Sequence, residues 1–293
     1  MPEIQRDVLM NRQISMFRCA FASLSFIAAV ASQSMPVAAQ DLPSLPKAIK
    51  DAGVIRIGVK CDSPPFGSSG PDGKPVGVEV EMAKKIGTYA FGSPEKAELS
   101  CVATDARIPS LTGGKIDLII ATLGKTPPRE QVIDYSDIYY WGGSNVIVPK
   151  ESSVQKLADL EGKSILIVKG GNQLKWLRDR IPGIQFVQLN TNADNIQALL
   201  QGRADGYVGD AVTIATLISN YPNLRVLKEE VDLGFNGVGI RKNEPELKAF
   251  VNTALKRMKE EKFFSQVVPS YVSDPIVAKE MIKSFETDPP ATN

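Results

Sequence analysis

The chain has no histidine among its 293 residues. That absence excludes Ser-His-Asp and Cys-His hydrolases, histidine-ligated zinc centres and histidine acid–base catalysis. Any chemistry would rest on Asp, Glu, Lys, Tyr or Cys. Cysteine is scarce, with three in all. A dominant charge is also missing. Lys and Arg number 34 and Asp and Glu 33, with the signs interspersed, so no global field recruits nucleic acid or an anionic membrane. No apolar run is long enough to span a bilayer.

What remains is an ordinary globular composition, 43% hydrophobic and 23% charged, long enough for one large domain or two modest ones. The N-terminus reads as an export signal over residues 1–39. Arg6, Arg12 and Arg18 precede an apolar run from Cys19 to about Ala31, and Val37-Ala38-Ala39 precedes Gln40 as a cleavage site. The expected destination is the periplasm. An uncleaved hydrophobic tail is the alternative, and Met16 is an alternative start. Cys19 follows Met16-Phe17-Arg18 rather than a small-residue box, so no lipid anchor is expected. Cleavage leaves two cysteines, Cys61 and Cys101, which in an oxidising compartment allow one pairing or two separate buried thiols.

Strand and helix signals alternate through the mature chain, the pattern of an α/β fold. Strands are expected at Val54–Val59, Ala97–Thr104, Ile116–Ala121, Ser164–Lys169, Gln185–Leu189, Ala204–Val208 and Leu224–Leu227. Helices are expected at Val78–Ala90, Ile108–Leu111, Gln173–Arg180, Asn192–Leu200, Ala211–Ser219 and from Glu244 to Lys262. One internal repeat sets the architecture. Leu111-Thr112-Gly113-Gly114-Lys115-Ile116-Asp117 is echoed by Leu200-Gln201-Gly202-Arg203-Ala204-Asp205. Each reads as a helix ended by glycine, a basic residue that suits the helix C-terminus, and an aspartate opening an apolar strand. Five residues beyond each aspartate, Thr122 and Asp210 fall at the carboxyl ends of equivalent strands, where open α/β sheets bind ligands. Two such units imply two lobes facing across a cleft. Stretches around Gly142–Val148 and Gly234–Gly239 would cross between the lobes and form a two-strand hinge. The expected lobes are 40–143 with 239–293, and 144–238.

The residues near those strand ends fit a small zwitterion. Thr126-Pro127-Pro128-Arg129 places an arginine in the first turn of a helix, where its guanidinium can hold a carboxylate through two parallel bonds or stand solvated. Asp210 ends an apolar strand, where a carboxylate needs a partner. An ammonium group and a helix N-cap are compatible partners. Gly170-Gly171-Asn172-Gln173 joins a strand to a helix and suits a small anion, while lacking the dinucleotide glycine spacing. After the first strand, Asp62 could pair with a cation or brace its loop. Phe66 could cover apolar ligand surface or join the core.

In this order the residues resemble the extracellular solute-binding proteins of family 3, the polar amino-acid receptors of ABC importers. The resemblance rests on Ile55-Arg56-Ile57-Gly58-Val59, Asp62, Pro65-Phe66, Gly77-x-x-Val80-x-Met82-Ala83, Arg107-Ile108-Pro109, Gly114-Lys115-x-Asp117, Thr126-x-x-Arg129, Asp134-Tyr135-Ser136, Asp159-Leu160-x-Gly162-Lys163 and Gly202-Arg203-x-Asp205. It runs from about residue 50 to 273. It implies the type II periplasmic binding fold, an amino acid or derivative as ligand, an ABC permease as partner, a monomer, and no cofactor or metal. It also implies that Arg129 binds the carboxylate and Asp210 the ammonium. Thr122 would contact the ammonium, and Asn172 would stand beside the lobe-two helix that meets the carboxylate. The chain departs from the family where Gly124 replaces a small hydroxyl residue, where Gly171-Asn172-Gln173 replaces Gly-Thr-Thr, and where Ala106 precedes Arg107. These departures make the side-chain pocket unusual and leave a derivative or opine-like ligand open. An enzyme on the same scaffold, resembling cyclohexadienyl dehydratases, is the alternative, with Asp62 or Glu79 as its acid. A sensory receptor is a third reading.

Overall fold

Two copies of one strand order build the central sheet. The computed structural model describes residues 42–290, so the expected export signal lies outside the described residues. In chain order the strands are β1 (Ile55–Val59), β2 (Asp62–Ser63), β3 (Gly67–Ser69), β4 (Pro75–Val76), β5 (Ala97–Cys101), β6 (Leu118–Ile120), β7 (Asp134–Pro149), β8 (Ser164–Val168), β9 (Gln185–Leu189), β10 (Gly206–Asp210) and β11 (Leu224–Ile240). The α-helices are α1 (Lys47–Ala52), α2 (Val78–Phe91), α3 (Arg107–Thr112), α4 (Pro127–Glu130), α5 (Gln173–Arg180), α6 (Asn192–Leu200), α7 (Ala211–Ile218), α8 (Pro245–Glu260), α9 (Phe263–Val267) and α10 (Pro275–Glu286). The main sheet runs β5-β1-β6-β11-β7-β10-β8-β9. On each side three strands are parallel, with the first of the three in the middle: β5-β1-β6 and β9-β8-β10. The antiparallel pair β7 and β11 joins the halves. This is the type II arrangement of two α/β lobes on a two-strand hinge.

The sequence repeat has a physical counterpart in each half. Gly114 and Gly202 both take φ +70°, a left-handed conformation open to glycine at little cost. The aspartate that follows each glycine ties its strand to the neighbour. The Asp117 carboxylate accepts from the Arg56 amide at 3.0 Å, and that of Asp205 from the Ser164 amide at 2.8 Å. The amides of both aspartates return bonds to the carbonyls of the same partners. In the first copy Arg56 and Arg241 add ion pairs to Asp117, at 2.6 and 3.2 Å.

The apolar packing divides in the same way. One set of core clusters draws on residues 45–140 and 238–285, and another on residues 146–231. Between them, Trp141 to Asn145 on β7 and Asp232 to Gly237 on β11 belong to no core cluster, and the β7–β11 ladder shifts register repeatedly. A stretch with few apolar anchors and an irregular ladder is where two lobes can turn about each other.

Several expected bounds move. The strand expected over Ala97–Thr104 ends at Cys101, because Val102 onward turns toward α3. Leu224–Leu227 and the returning glycine stretch form one 17-residue strand, β11. The cysteines form the disulfide Cys61–Cys101, which ties edge strand β5 to the loop leaving β1.

Candidate ligand-binding site

The carboxyl ends of β6 and β10 face each other across a narrow cleft of about 60 Å³. Thr104, Arg107 and Thr122 line it from the first lobe, and Gly171, Asn172, Gln173, Asp210 and Thr213 from the second.

Asp210 is both the last residue of β10 and the N-cap of α7. Its Oδ1 accepts from the amides of Val212 and Thr213, at 3.0 and 3.2 Å, which satisfies two of the helix's orphan donors. No described cation pairs with it, and burial lifts its pKa to about 6 despite the two amide bonds. Its second oxygen is therefore available to a positively charged group.

Thr122 sits in a left-handed conformation, φ +47°, which is unusual for a side-chain-bearing residue. Glu79, in the first turn of α2, holds it there. Both Glu79 oxygens accept from the Thr122 amide, and Tyr139 Oη donates to the same carboxylate at 2.5 Å. Glu79 is completely buried, and burial raises its pKa to about 7 against the lowering effect of these bonds. Arg107 then grips the strand end from the other side, its Nη1 donating to the carbonyls of Ala121 and Thr122 at 2.5 and 3.0 Å.

Arg129 occupies the first turn of α4, as its two prolines predict. Its Nη1 donates to the Gly124 carbonyl at 2.7 Å and its Nη2 crosses to the Gly170 carbonyl of the second lobe at 2.8 Å. It lines an adjoining open groove, with Gly170, Gly171, Asn172 and the apolar side chains of Leu174, Trp176 and Phe235. Arg129 and Asp210 thus border two neighbouring spaces, and Gly171 and Asn172 border both. Gly124 gives room for this contact: a Cβ there would lie 3.0 Å from Asn172 Nδ2.

Two sequence candidates stand elsewhere. Phe66, expected either over the ligand or in the core, is fully buried in the core, 4.9 Å from the Tyr140 ring centroid. Its apolar neighbours there outweigh the position of its loop at the sheet edge. The Asp62 carboxylate pairs with the buried Lys60 at 2.6 Å, and Lys60 also donates to Thr104 Oγ1 at 2.9 Å. Asp62 thus braces the loop. Among the described residues no group of three His, Cys, Asp or Glu side chains could hold a metal ion, and no helix is long and apolar enough to cross a membrane.

Further polar contacts close the lobes on each other. Asn192, at the start of α6, donates to the Asp62 carbonyl at 2.7 Å and to Ser63 Oγ at 2.9 Å, and is itself held by Tyr207 Oη. Lys169 pairs with Asp105 at 2.9 Å.

The profile of the bacterial extracellular solute-binding proteins, family 3, matches residues 55–274, which span both lobes and the whole cleft. The chain belongs to that family. Among family-3 proteins and their kin, it is similar to an ABC transporter glutamine-binding protein of Bacillus subtilis, 28% identical over 78% of this chain and 84% of that one. A solved structure of the cysteine-binding protein from Campylobacter jejuni superposes with a TM-score of 0.75 at 27% identity, covering 80% of this chain and 96% of the other. An ancestral amino acid-binding protein, a precursor of cyclohexadienyl dehydratase, superposes with a TM-score of 0.70 at 26% identity, covering 76% and 97%.

Several cleft residues of this family-3 protein, Asn192 and Arg107 among them, escaped the sequence reading of the site. Asn192 carries no local signal, since an asparagine opening a helix is commonplace. Arg107 does carry one: a cation in the first turn of α3 opposes the helix dipole, which points to a use outside the helix.

Proposed function

We propose that the chain captures an amino acid or related zwitterion between its lobes and delivers it to the permease of an ABC transporter. The observation that carries this reading is the charge arrangement across the closed cleft. Asp210 on the second lobe has an oxygen free of protein donors, while the first lobe contributes the guanidinium groups of Arg107 and Arg129. An ammonium on Asp210 and a carboxylate on Arg129 match that polarity. In this reading a ligand carboxylate displaces the Gly170 carbonyl from Arg129, and Thr122, Gly171, Asn172 and Gln173 surround the head group. We assign residues 1–39 to an export signal, 40–143 with 239–293 to the first lobe and 144–238 to the second. The separate core clusters support that division. The protein works as a periplasmic monomer without a cofactor.

An enzyme on this scaffold draws support from the raised pKa of Glu79 and from the likeness to a dehydratase precursor. The geometry weighs against it. Both Glu79 oxygens serve Thr122 and Tyr139, and Asp62 is held by Lys60, so neither carboxyl is free to deliver a proton.

Thermal unfolding of the secreted protein against a panel of amino acids and derivatives tests the proposal, because a ligand that binds only the folded state raises the midpoint. A rise with one chemical group of amino acids is expected. A flat panel combined with turnover of prephenate or arogenate would replace the receptor reading with the enzyme.

A further inference from the structure

Arg107 is only 3% exposed. Its Nη1 is committed to two main-chain carbonyls, its Nε has no hydrogen-bond partner, and no described carboxylate lies within ion-pair distance. A buried guanidinium in that condition is costly, since two neutral carbonyls do not offset the lost hydration of a full charge. Burial, with the nearby Arg129 charge, pushes its pKa down to about 9.

No described carboxylate is hydrogen-bonded to it. Glu79 acts on Arg107 through space only, because its oxygens are occupied by the Thr122 amide and the Tyr139 hydroxyl. Asp62 is neutralised by Lys60 at 2.6 Å. Asp210 stands on the opposite wall of the same cleft with its own unfilled oxygen. The cleft wall thus offers a ligand one guanidinium, Arg107, and one carboxylate, Asp210, while the adjoining groove offers Arg129 and Asp232, whose Oδ1 is buried without a hydrogen-bond partner.

We propose that Arg107 is a specificity-determining residue that binds a second acidic group, so that the solute is an amino acid carrying two carboxylates and one ammonium. This rests on the receptor reading above and narrows it. Arg129 takes one carboxylate at the rim and Asp210 takes the ammonium. Arg107, with the hydroxyls of Thr104 and Thr122 beside it in the cleft wall, takes the other carboxylate in the interior. A neutral amide of the same shape would offer the buried guanidinium one uncharged carbonyl acceptor in place of a carboxylate, and its NH₂ group cannot accept.

The test is calorimetric titration of the secreted protein with L-glutamate and L-aspartate against L-glutamine and L-asparagine, with L-lysine as the opposite charge. The acids are expected to bind at least about tenfold more tightly than their amides, the scale of one charge-assisted hydrogen bond. In Arg107→Met the acid-to-amide ratio should collapse toward one. Amides binding as well as or better than acids would overturn the assignment while leaving the receptor standing, as would an Arg107→Met variant that weakens acids and amides equally. The latter would make Arg107 a clamp on Ala121 and Thr122 alone. If the variant does not fold, the wild-type ranking of acid over amide decides by itself. Failure of every amino acid to bind would overturn both this inference and the receptor reading.

Discussion

The Glu79 carboxylate faces the Thr122 amide with both oxygens, at 2.9 and 3.0 Å, and so ties the first turn of α2 to the strand end that forms the cleft wall. Burial raises its pKa from an ordinary 4.5 to about 7. The folded state then holds the proton more tightly than the unfolded one. The stabilisation is fully present below about pH 4.5 and is lost as pH rises through 7. Its size is on the order of 3 kcal/mol. Glu79→Gln should flatten the fall in urea midpoint between pH 5 and 7, leaving the smaller part due to Asp210. An unchanged slope would show that Glu79 titrates normally.

Asp210 sets the pH dependence of binding. With its pKa near 6 in the unliganded cleft, an ammonium ligand must compete with a proton below that value. Affinity should drop by about tenfold per pH unit below 6 and level off above 7. Asp210→Asn keeps a good N-cap for α7. The variant should thus fold with little change in Tm, yet lose about a hundredfold or more in affinity and most of the pH dependence. Calorimetry across pH 4.5–8 reads both.

Arg129→Ala removes the guanidinium that bridges the Gly124 and Gly170 carbonyls. Loss of most ligand affinity is expected, with a circular-dichroism spectrum like that of wild type. A variant binding as tightly as wild type would sink the carboxylate assignment.

The Cys61–Cys101 disulfide spans 40 residues of sequence and anchors the edge strand β5. Closing a loop of that length removes about 3–4 kcal/mol of unfolded-chain entropy. Reduction, or the pair Cys61→Ser and Cys101→Ser, should lower Tm by several degrees. Ligand selectivity should hold, because the bridge lies outside the residues that line the cleft.

Asn192 joins the second lobe to the Asp62 carbonyl and Ser63 hydroxyl of the first. Asn192→Ala should favour the open form of the unliganded protein, seen as a larger radius of gyration in small-angle scattering. An unchanged radius would show that closure rests on the Lys169–Asp105 and Arg129–Gly170 contacts alone.

Much of this was legible in the residues themselves. The glycine–basic–aspartate repeat at 114–117 and 202–205 reported two equivalent units, because left-handed caps and strand-opening aspartates are local requirements. Helices α5 and α6 coincide with the expected Gln173–Arg180 and Asn192–Leu200, since their apolar spacing and caps lie within a few turns of chain. The lengths of β7 and β11 were hidden, because a glycine-rich crossing strand lacks the alternation that marks a strand with one buried face. Tertiary structure alone decided that Phe66 packs against Tyr140 and Phe285, that Glu79 rather than a glycine holds Thr122 at positive φ, and that Arg107 is buried in the cleft wall without an ion-pair partner among the described residues. Sequence spacing reports what a residue does to its own turn of chain. The cost or use of a charge depends on which distant groups surround it, and those neighbours exist only once both lobes have folded.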